Sequence, residues 1–342
     1  MKVLLVKTSS LGDVVHTLPA ITDAARAIPD LQLDWVVEQD FAEVAAAHPA
    51  VQQVLPCALR RWRKSPLATW RSGEWRQFRD ALQATDYDCV IDAQGLIKSA
   101  FVTRLARGPK AGLDRESARE PLSARVLDRR LAIARNQHAI DRLRQLFAAA
   151  LGYALPDSAP DFGFAPAVGS ARLGPGARLV FFHGTTWDTK HWPERYWQEL
   201  ARLAAQAGCQ VHLPWGNEAD RQRAERIRAA APAAQIMPRQ SLGELLASLA
   251  AMDGFVAVDT GLAHLAAALG LPGVALYGPT DPTLTGVRGK RAVSLPAEFV
   301  CAPCVQEQCQ YRGVARDQVR PPCFGMLPPE RVWQVLSGEA GR

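Results

Sequence analysis

The stretch Val258–Pro282, VDTGLAHLAAALGLPGVALYGPTDP, decides the fold. The apolar run Gly254 to Val258 ahead of it reads as a buried strand. Asp259-Thr260-Gly261 stops that strand, and an Ala- and Leu-rich helix follows from Leu262 to Leu269, ended by Gly270. Gly273 to Tyr277 is the next strand, closed by Gly278-Pro279. Strand, Gly-containing turn, helix and strand make one βαβ unit whose turn sits at the carboxyl end of a strand. Open α/β sheets bind ligands there. Free N–H groups at the helix start suit a phosphate, and Gly lets it approach. The plain alternative is an ordinary βα turn capped by Thr260.

Working outward, the same alternation runs through the chain. In the first part, Lys2–Lys7, Leu33–Glu38, Val51–Cys57 and Tyr87–Asp92 read as strands. Helical spacing covers Val14–Ile28, Phe41–Ala47, Leu96–Ala106 and His138–Leu151. Pro19 marks a kink or a late helix start. Leu155–Ala177, rich in Pro, Gly, Ala and Ser, reads as a linker. A second alternating half follows. Its strands are Leu179–His183, Cys209–Pro214 and Gln235–Met237, and its helices Glu194–Gln206, Glu218–Ala230 and Leu242–Ala251. The expectation is two Rossmann-like, doubly wound α/β domains, residues 1–160 and 178–342, joined by a linker at 161–177. Strand ends from both would face a cleft.

The 342 residues suit two such domains, and 48% hydrophobic with 22% charged residues is ordinary for a globular protein. A net charge of +6 favours an acidic partner: phosphate, nucleic acid or an anionic membrane. The opening MKVLLVKTSSLGD is too short in its apolar run for a signal peptide. No stretch reaches the roughly 18 apolar residues of a membrane span. The expected setting is cytoplasmic, touching a membrane surface.

Asp13 follows the first strand, where a carboxylate can take a proton from a hydroxyl as a general base or cap a helix. Thr185, Thr186 and Lys190 follow the first strand of the second half, where two hydroxyls and an ammonium suit a diphosphate; a solvated loop is the alternative. After Trp215-Gly216, Glu218 or Asp220 could hold a ribose hydroxyl pair or simply favour a helix's first turn. Residues 59–79 carry seven basic side chains and one acidic one. Arg60, Arg61, Arg63 and Lys64 are nearly contiguous, with Trp62, Trp70 and Trp75 among them. Guanidinium groups grip phosphates at two points and indoles suit a membrane interface, so the patch points to an anionic, partly lipidic partner. No zinc-finger, RNP or helix-turn-helix pattern accompanies it, which argues against nucleic acid. His138, Arg142 and Arg144 add a basic helical face. Asp86-Tyr87-Asp88 has the D-x-D pattern of metal-binding sugar transferases but precedes a strand, so it reads as surface. Cys57, Cys89 and Cys209 read as buried thiols. The tail Cys301-x2-Cys304-x4-Cys309-x13-Cys323 opens as a structural zinc site does, but lacks a standard finger's spacing.

The segments VKTSSLGDVVHTLPA, DWVVE, RRWRK, VIDAQGLIKSA, TTWDTKHWP, LPWG, VDTGLAHLAAAL and YGPTDP together resemble the ADP-heptose:lipopolysaccharide heptosyltransferases, glycosyltransferase family 9. The resemblance spans about Met1 to Pro282. It implies the GT-B fold and metal-independent, inverting transfer of heptose from ADP-heptose to the Kdo-containing inner core on lipid A. It also implies no required cofactor and a peripheral place on the cytoplasmic face of a Gram-negative inner membrane. By resemblance Asp13 is the general base and Lys190 stabilises the departing diphosphate. Thr185, Thr186, Thr260, Gly261 and His264 line the donor phosphates. Asp259 is expected to point away from the diphosphate, toward a donor hydroxyl or a cation. The family's ribose-binding acid is a Glu where this chain has Asp220, with Glu218 nearby. Arg60, Arg61, Arg63 and Lys64 resemble a basic loop for the phosphate-rich acceptor, with Lys98, His138 and Arg142 as further contacts. The tail from Cys301 departs from the pattern. Another family 9 transferase with a different core acceptor, a GT-B-type sugar-nucleotide epimerase and a non-catalytic nucleotide- or nucleic-acid-binding protein are the competing readings.

Overall fold

The computed structural model describes residues 1–167, 173–313 and 318–340. Its contacts divide the chain into two units, Met1–Phe164 and Ala165–Arg342.

The first unit holds a six-stranded sheet: β1 (Lys2–Val6), β2 (Gln32–Glu38), β3 (Val51–Cys57), β4 (Cys89–Asp92), β5 (Lys110–Leu113) and β6 (Arg129–Leu131). The order is β3-β2-β1-β4-β5-β6, all parallel. Val3 to Val6 in β1 and all of β4 are buried, because helices cover both faces of a parallel sheet. Strands β5 and β6 escape the sequence reading: they are short, and KAGL and RRL carry no apolar run.

The helix after β1 runs Leu11–Ala27 with Pro19 inside it, so it does not start late. Ser10 is its N-cap residue and Asp13 the third helical position. The basic stretch expected as a loop is instead three short helices, Leu59–Lys64, Pro66–Ser72 and Glu74–Leu82. Pro66 opens the second, where its missing N–H costs nothing. Gly73, at φ 76, ends it in the left-handed conformation that glycine tolerates. Trp62, Phe78 and Leu82 point inward from these helices. Trp62 is therefore core rather than an interfacial indole, and its Nε1–H donates to Glu74 (2.9 Å).

The second unit repeats the plan with β7 (Arg178–Phe182), β8 (Gln210–Leu213), β9 (Gln235–Ile236), β10 (Gly254–Val258), β11 (Gly273–Tyr277) and β12 (Ala292–Pro296). Their order is β12-β11-β10-β7-β8-β9, again parallel. Trp192, Trp197 and Phe324 fill its core, joined by Val332 and Leu336 of the last helix, Pro329–Ala340.

Each sheet has the order 3-2-1-4-5-6 of the doubly wound dinucleotide-binding fold. Each reverses direction once, between β1 and β4 in the first unit and between β7 and β10 in the second. A crevice opens outside the strand ends at such a reversal. Asp13 follows β1 and Lys190 follows β7, so each stands beside its own unit's reversal point.

Candidate functional site

In the first unit the turn after β1 is fixed by short contacts. The Asp13 carboxylate accepts from the Ser10 N–H (2.7 Å) and lies 3.3 Å from the Lys7 ammonium. Lys7 is buried and also donates to the Ala93 carbonyl beyond β4 (3.1 Å). Gln94 Oε1 accepts from the N–H groups of Thr8 (3.0 Å) and Ser9 (3.2 Å). Lys98 donates to Ser9 Oγ (2.7 Å), and burial, then the neighbouring Arg60 charge, pushes its pKa down. The Asp13 side chain is 41% exposed, so it remains reachable. Such a carboxylate, held at one oxygen by a backbone donor and flanked by an ammonium, can accept a proton from a hydroxyl.

Sequence reasoning missed Glu38. It ends β2 and is buried, and its carboxylate accepts from the Arg60 N–H (3.3 Å). Burial raises its pKa, opposed by Arg60 and Lys98. Its position at a strand's carboxyl end beside the same crevice was the available signal.

The acceptor residues named from the sequence divide. Arg60, Arg63 and Lys64 are exposed. Arg61 is committed to Glu74 at 2.9 Å, which holds its pKa up. Arg142 is half-buried and donates to the Ser117 carbonyl (2.9 Å); burial, then Arg135, lowers its pKa. His138 is not on the helix face expected of it: it is the buried N-cap of the helix Ala139–Leu151, and its Nδ1 accepts from the Ile140 N–H (3.2 Å). Arg144 turns inward to the buried Asp23 (2.6 Å). The basic face therefore reduces to Arg142. Asp86 and Asp88 are exposed ahead of β4, away from the strand end.

In the second unit the donor residues converge. Lys190 and Asp259 form an ion pair at 2.8 Å with side chains 16% and 8% exposed. The Lys190 ammonium also lies over the Trp187 ring, 4.6 Å from its centroid. Thr280 donates to the same Asp259 oxygen (2.7 Å), and His264 Nε2 lies 4.0 Å from the other. The cation that Asp259 meets is thus Lys190. Thr185 Oγ1 donates to the Asp259 carbonyl (3.1 Å), while Thr186 is exposed. The helix Gly261–Ala268 starts behind Thr260, whose side chain makes no capping hydrogen bond. Ala263 N–H donates to the Thr260 carbonyl (3.0 Å), and the N–H groups of Gly261 and Leu262 ahead of it have no side-chain cap from Thr260, the kind of helix start that suits an anion.

The two acids after β8 separate clearly. Glu218 is 60% exposed and paired with Arg221 at 2.9 Å. Asp220 is 16% exposed and sits against the turn after β7: a side chain at Gly184 would put its Cβ 2.7 Å from Asp220 Oδ1. Glycine at 184 is what lets Asp220 approach. Asn217 (2.8 Å) and Arg223 (3.4 Å) orient it. Beside it, burial drives the His183 pKa down to about 3, with the Arg223 and His191 charges adding to the effect.

The cysteine tail contributes through its backbone. Val305 N–H donates to the Pro279 carbonyl (2.7 Å), and Thr189 N–H to the Glu307 carbonyl (3.3 Å). Thr189 Oγ1 donates to Gln306. The loop 305–307 therefore braces the turn that carries Lys190. Cys301 and Cys309 are exposed, Cys304 is half-buried and Cys323 is buried. Burial, then the other three sulfurs, pushes the Cys323 thiol up to about 12. Among the described residues no three His, Cys, Asp or Glu side chains gather as a metal-binding group, so the zinc expectation has no ligand set there. Cys57, Cys89 and Cys209 are buried thiols, in keeping with their apolar strands.

Two parallel sheets of this order, with a basic, hydroxyl-bearing turn and an open helix start at one reversal point, define a GT-B glycosyltransferase. The profile of glycosyltransferase family 9 (heptosyltransferase) matches residues 75–315. The chain belongs to this family. It is 54% identical over 341 residues to lipopolysaccharide heptosyltransferase 1 of Pseudomonas aeruginosa, covering 97% of this chain and 96% of that one. To lipopolysaccharide heptosyltransferase 1 of Escherichia coli K12 it is 49% identical over 292 residues, 85% of this chain and 92% of that one. The structure of E. coli heptosyltransferase WaaC with ADP-2-deoxy-2-fluoro heptose superposes with a TM-score of 0.82 at 41% identity, over 99% of each chain.

Proposed function

We propose that the protein transfers heptose from ADP-heptose to a Kdo hydroxyl of the lipopolysaccharide inner core on lipid A, inverting the anomeric centre. The observation carrying the reading is the Lys190–Asp259–Thr280 group beside the uncapped Gly261 helix start, a site matched to a diphosphate. The names of the relatives, and the ADP-heptose analogue in the WaaC structure, support that donor.

The acceptor hydroxyl attacks C1 of the heptose and gives its proton to Asp13. The bond from C1 to the diphosphate oxygen breaks, and ADP departs with the electron pair. Lys190, Thr185, Thr186 and the N–H groups at Gly261 stabilise the charge on that leaving group, commonly the largest electrostatic contribution in such sites. Lys190 exchanges its Asp259 contact for the diphosphate, while Thr280 and His264 keep Asp259 turned aside. Asp220 takes the ribose hydroxyls. Arg60, Arg63, Lys64, Lys98 and Arg142 receive the phosphates and carboxylates of the acceptor. Lys190 and the helix dipole supply the positive charge that a divalent metal gives elsewhere, so transfer proceeds without a metal. The protein works on the cytoplasmic face of a Gram-negative inner membrane, bound peripherally. Among the described residues no helix is long and apolar enough to cross a membrane.

Incubation with ADP-heptose and Kdo-lipid A, read by mass spectrometry, should show a gain of one heptose and undiminished transfer in EDTA. No gain with that pair, or loss of transfer in the chelator, would refute the acceptor or the metal-free chemistry respectively.

A further inference from the structure

The three short helices of residues 59–82 do more than carry arginines. With the segment Leu96–Phe101 they line an open pocket of about 720 Å³, inside the range of about 300–1,000 Å³ of small-molecule sites. Its walls are mostly apolar: Leu59, Trp62, Trp70, Trp75, Ile97 and Phe101. Trp75 stacks on Phe101 with centroids 5.6 Å apart, and Trp62 meets Trp75 edge-on. Trp70 is nevertheless 72% exposed, Ile97 53% and Phe101 51%, and Leu67 close by is 72% exposed. Clustered exposure of large apolar side chains marks a binding surface.

The polar groups in the wall are few, and one is already occupied. The Glu120 carboxylate accepts from the Ile97 N–H (2.6 Å), leaving Arg63 and Lys98 as the lining cations. Arg63, Lys64 and Arg71 make no ion pair among the described residues. A saccharide ring here would leave most of its hydroxyls without partners, at a cost. A hydrocarbon chain would not, and an anionic head would meet the unpaired cations. Lys98 joins this pocket to the reaction turn, since its ammonium donates to Ser9 Oγ just ahead of the helix whose first turn carries Asp13.

We propose that the cavity takes an acyl chain of the acceptor lipid itself, so that the molecule presenting its sugar hydroxyl to Asp13 is also gripped by its tail. This rests on the reading of the acceptor as a lipid-anchored acidic saccharide. Each buried methylene multiplies affinity about fourfold, so two or three in the cavity discriminate an acylated acceptor more than tenfold from its deacylated form.

The test uses the full chain and the exposed wall residues Trp70 and Ile97, replaced as Trp70→Ser and Ile97→Ser. Binding of an acceptor with short acyl chains, kept monomeric in water below its critical micelle concentration so that the chains leave water on binding, and of the deacylated acceptor is measured without donor, followed by steady-state transfer to both. The wild type should bind the acylated form at least about tenfold more tightly. Both variants should erase that preference, raising KM for the acylated acceptor while kcat and the deacylated KM stay within about twofold. The assignment is overturned if the wild type shows no preference or if the variants weaken both acceptors alike. It is equally overturned if the variants instead lose cosedimentation with acceptor-free vesicles of phosphatidylethanolamine and phosphatidylglycerol, which would make bulk membrane lipid the occupant. Because binding is read without turnover, tight tail-dependent binding with no heptose transfer would fail the transferase reading and leave the cavity assignment standing.

Discussion

Replacing Lys190 by methionine removes the one cation that meets Asp259 at 2.8 Å while keeping the length of the side chain. Breaking a buried ion pair at one partner costs about 3–5 kcal/mol. Here Asp259 keeps the Thr280 hydroxyl (2.7 Å), worth about 1 kcal/mol, so the expected loss is about 2–4 kcal/mol. In a unit of this size that lowers Tm by roughly 5–15 °C. Turnover should fall about 10²–10³-fold, equivalent to about 2.7–4 kcal/mol, because the leaving diphosphate loses its fixed ammonium and meets a bare carboxylate. The double variant Lys190→Met/Asp259→Asn separates the two effects. It removes the stranded charge and should regain most of the stability, giving a coupling of about 2 kcal/mol in a double-mutant cycle, yet its turnover should stay low. Calorimetry and initial rates with saturating donor measure both. If the double variant recovers turnover along with stability, Lys190 merely neutralises Asp259 and the leaving-group argument is wrong.

Asp13→Asn should keep an acceptor for the Ser10 N–H, hold Tm near the wild-type value, leave donor binding intact and lower kcat about 10²–10⁴-fold; a variant that only melts earlier makes Asp13 a structural group. Asp220→Ala should weaken ADP binding about tenfold in a titration, whereas Glu218→Ala should not, since Glu218 spends itself on Arg221 at the surface; the reverse result would exchange their roles. His183 has its pKa depressed to about 3. Its contribution to stability is therefore complete above the unfolded value near 6.5 and is lost as pH falls toward 3. Between pH 7 and pH 5 that loss is about 2 kcal/mol by urea denaturation, and His183→Asn should flatten the slope.

Sequence alone carried a good part of this. The apolar runs of β1, β4, β7, β10 and β11 and the turns after them were legible because a buried parallel strand needs nearly continuous Val, Ile, Leu, Phe and Ala, and a βα turn needs small or polar residues. Those turns hold Lys190 and Asp259, and the helix start after the first of them holds Asp13, so the candidate chemistry was readable as position along the chain. Strands β5, β6 and β12 were not: KAGL and RRL are too short to carry such a run, and β12, at the edge of its sheet, is only partly covered. The helices of residues 59–82 were hidden by their charge: Trp62, Phe78 and Leu82 face inward, but arginines occupy the positions around them.

What only the tertiary structure decided is which side chain meets which. Separations of 86 residues between Lys7 and Ala93, and of 117 between Thr189 and Gln306, have no local signature. Folding alone brings Lys190 onto Asp259, turns Asp220 rather than Glu218 toward Gly184, buries His138 as a cap and sends Arg144 into the core. Local spacing fixes where a strand ends; the pairing of charges beyond that end depends on which strands become neighbours, and strand order is a property of the whole sheet.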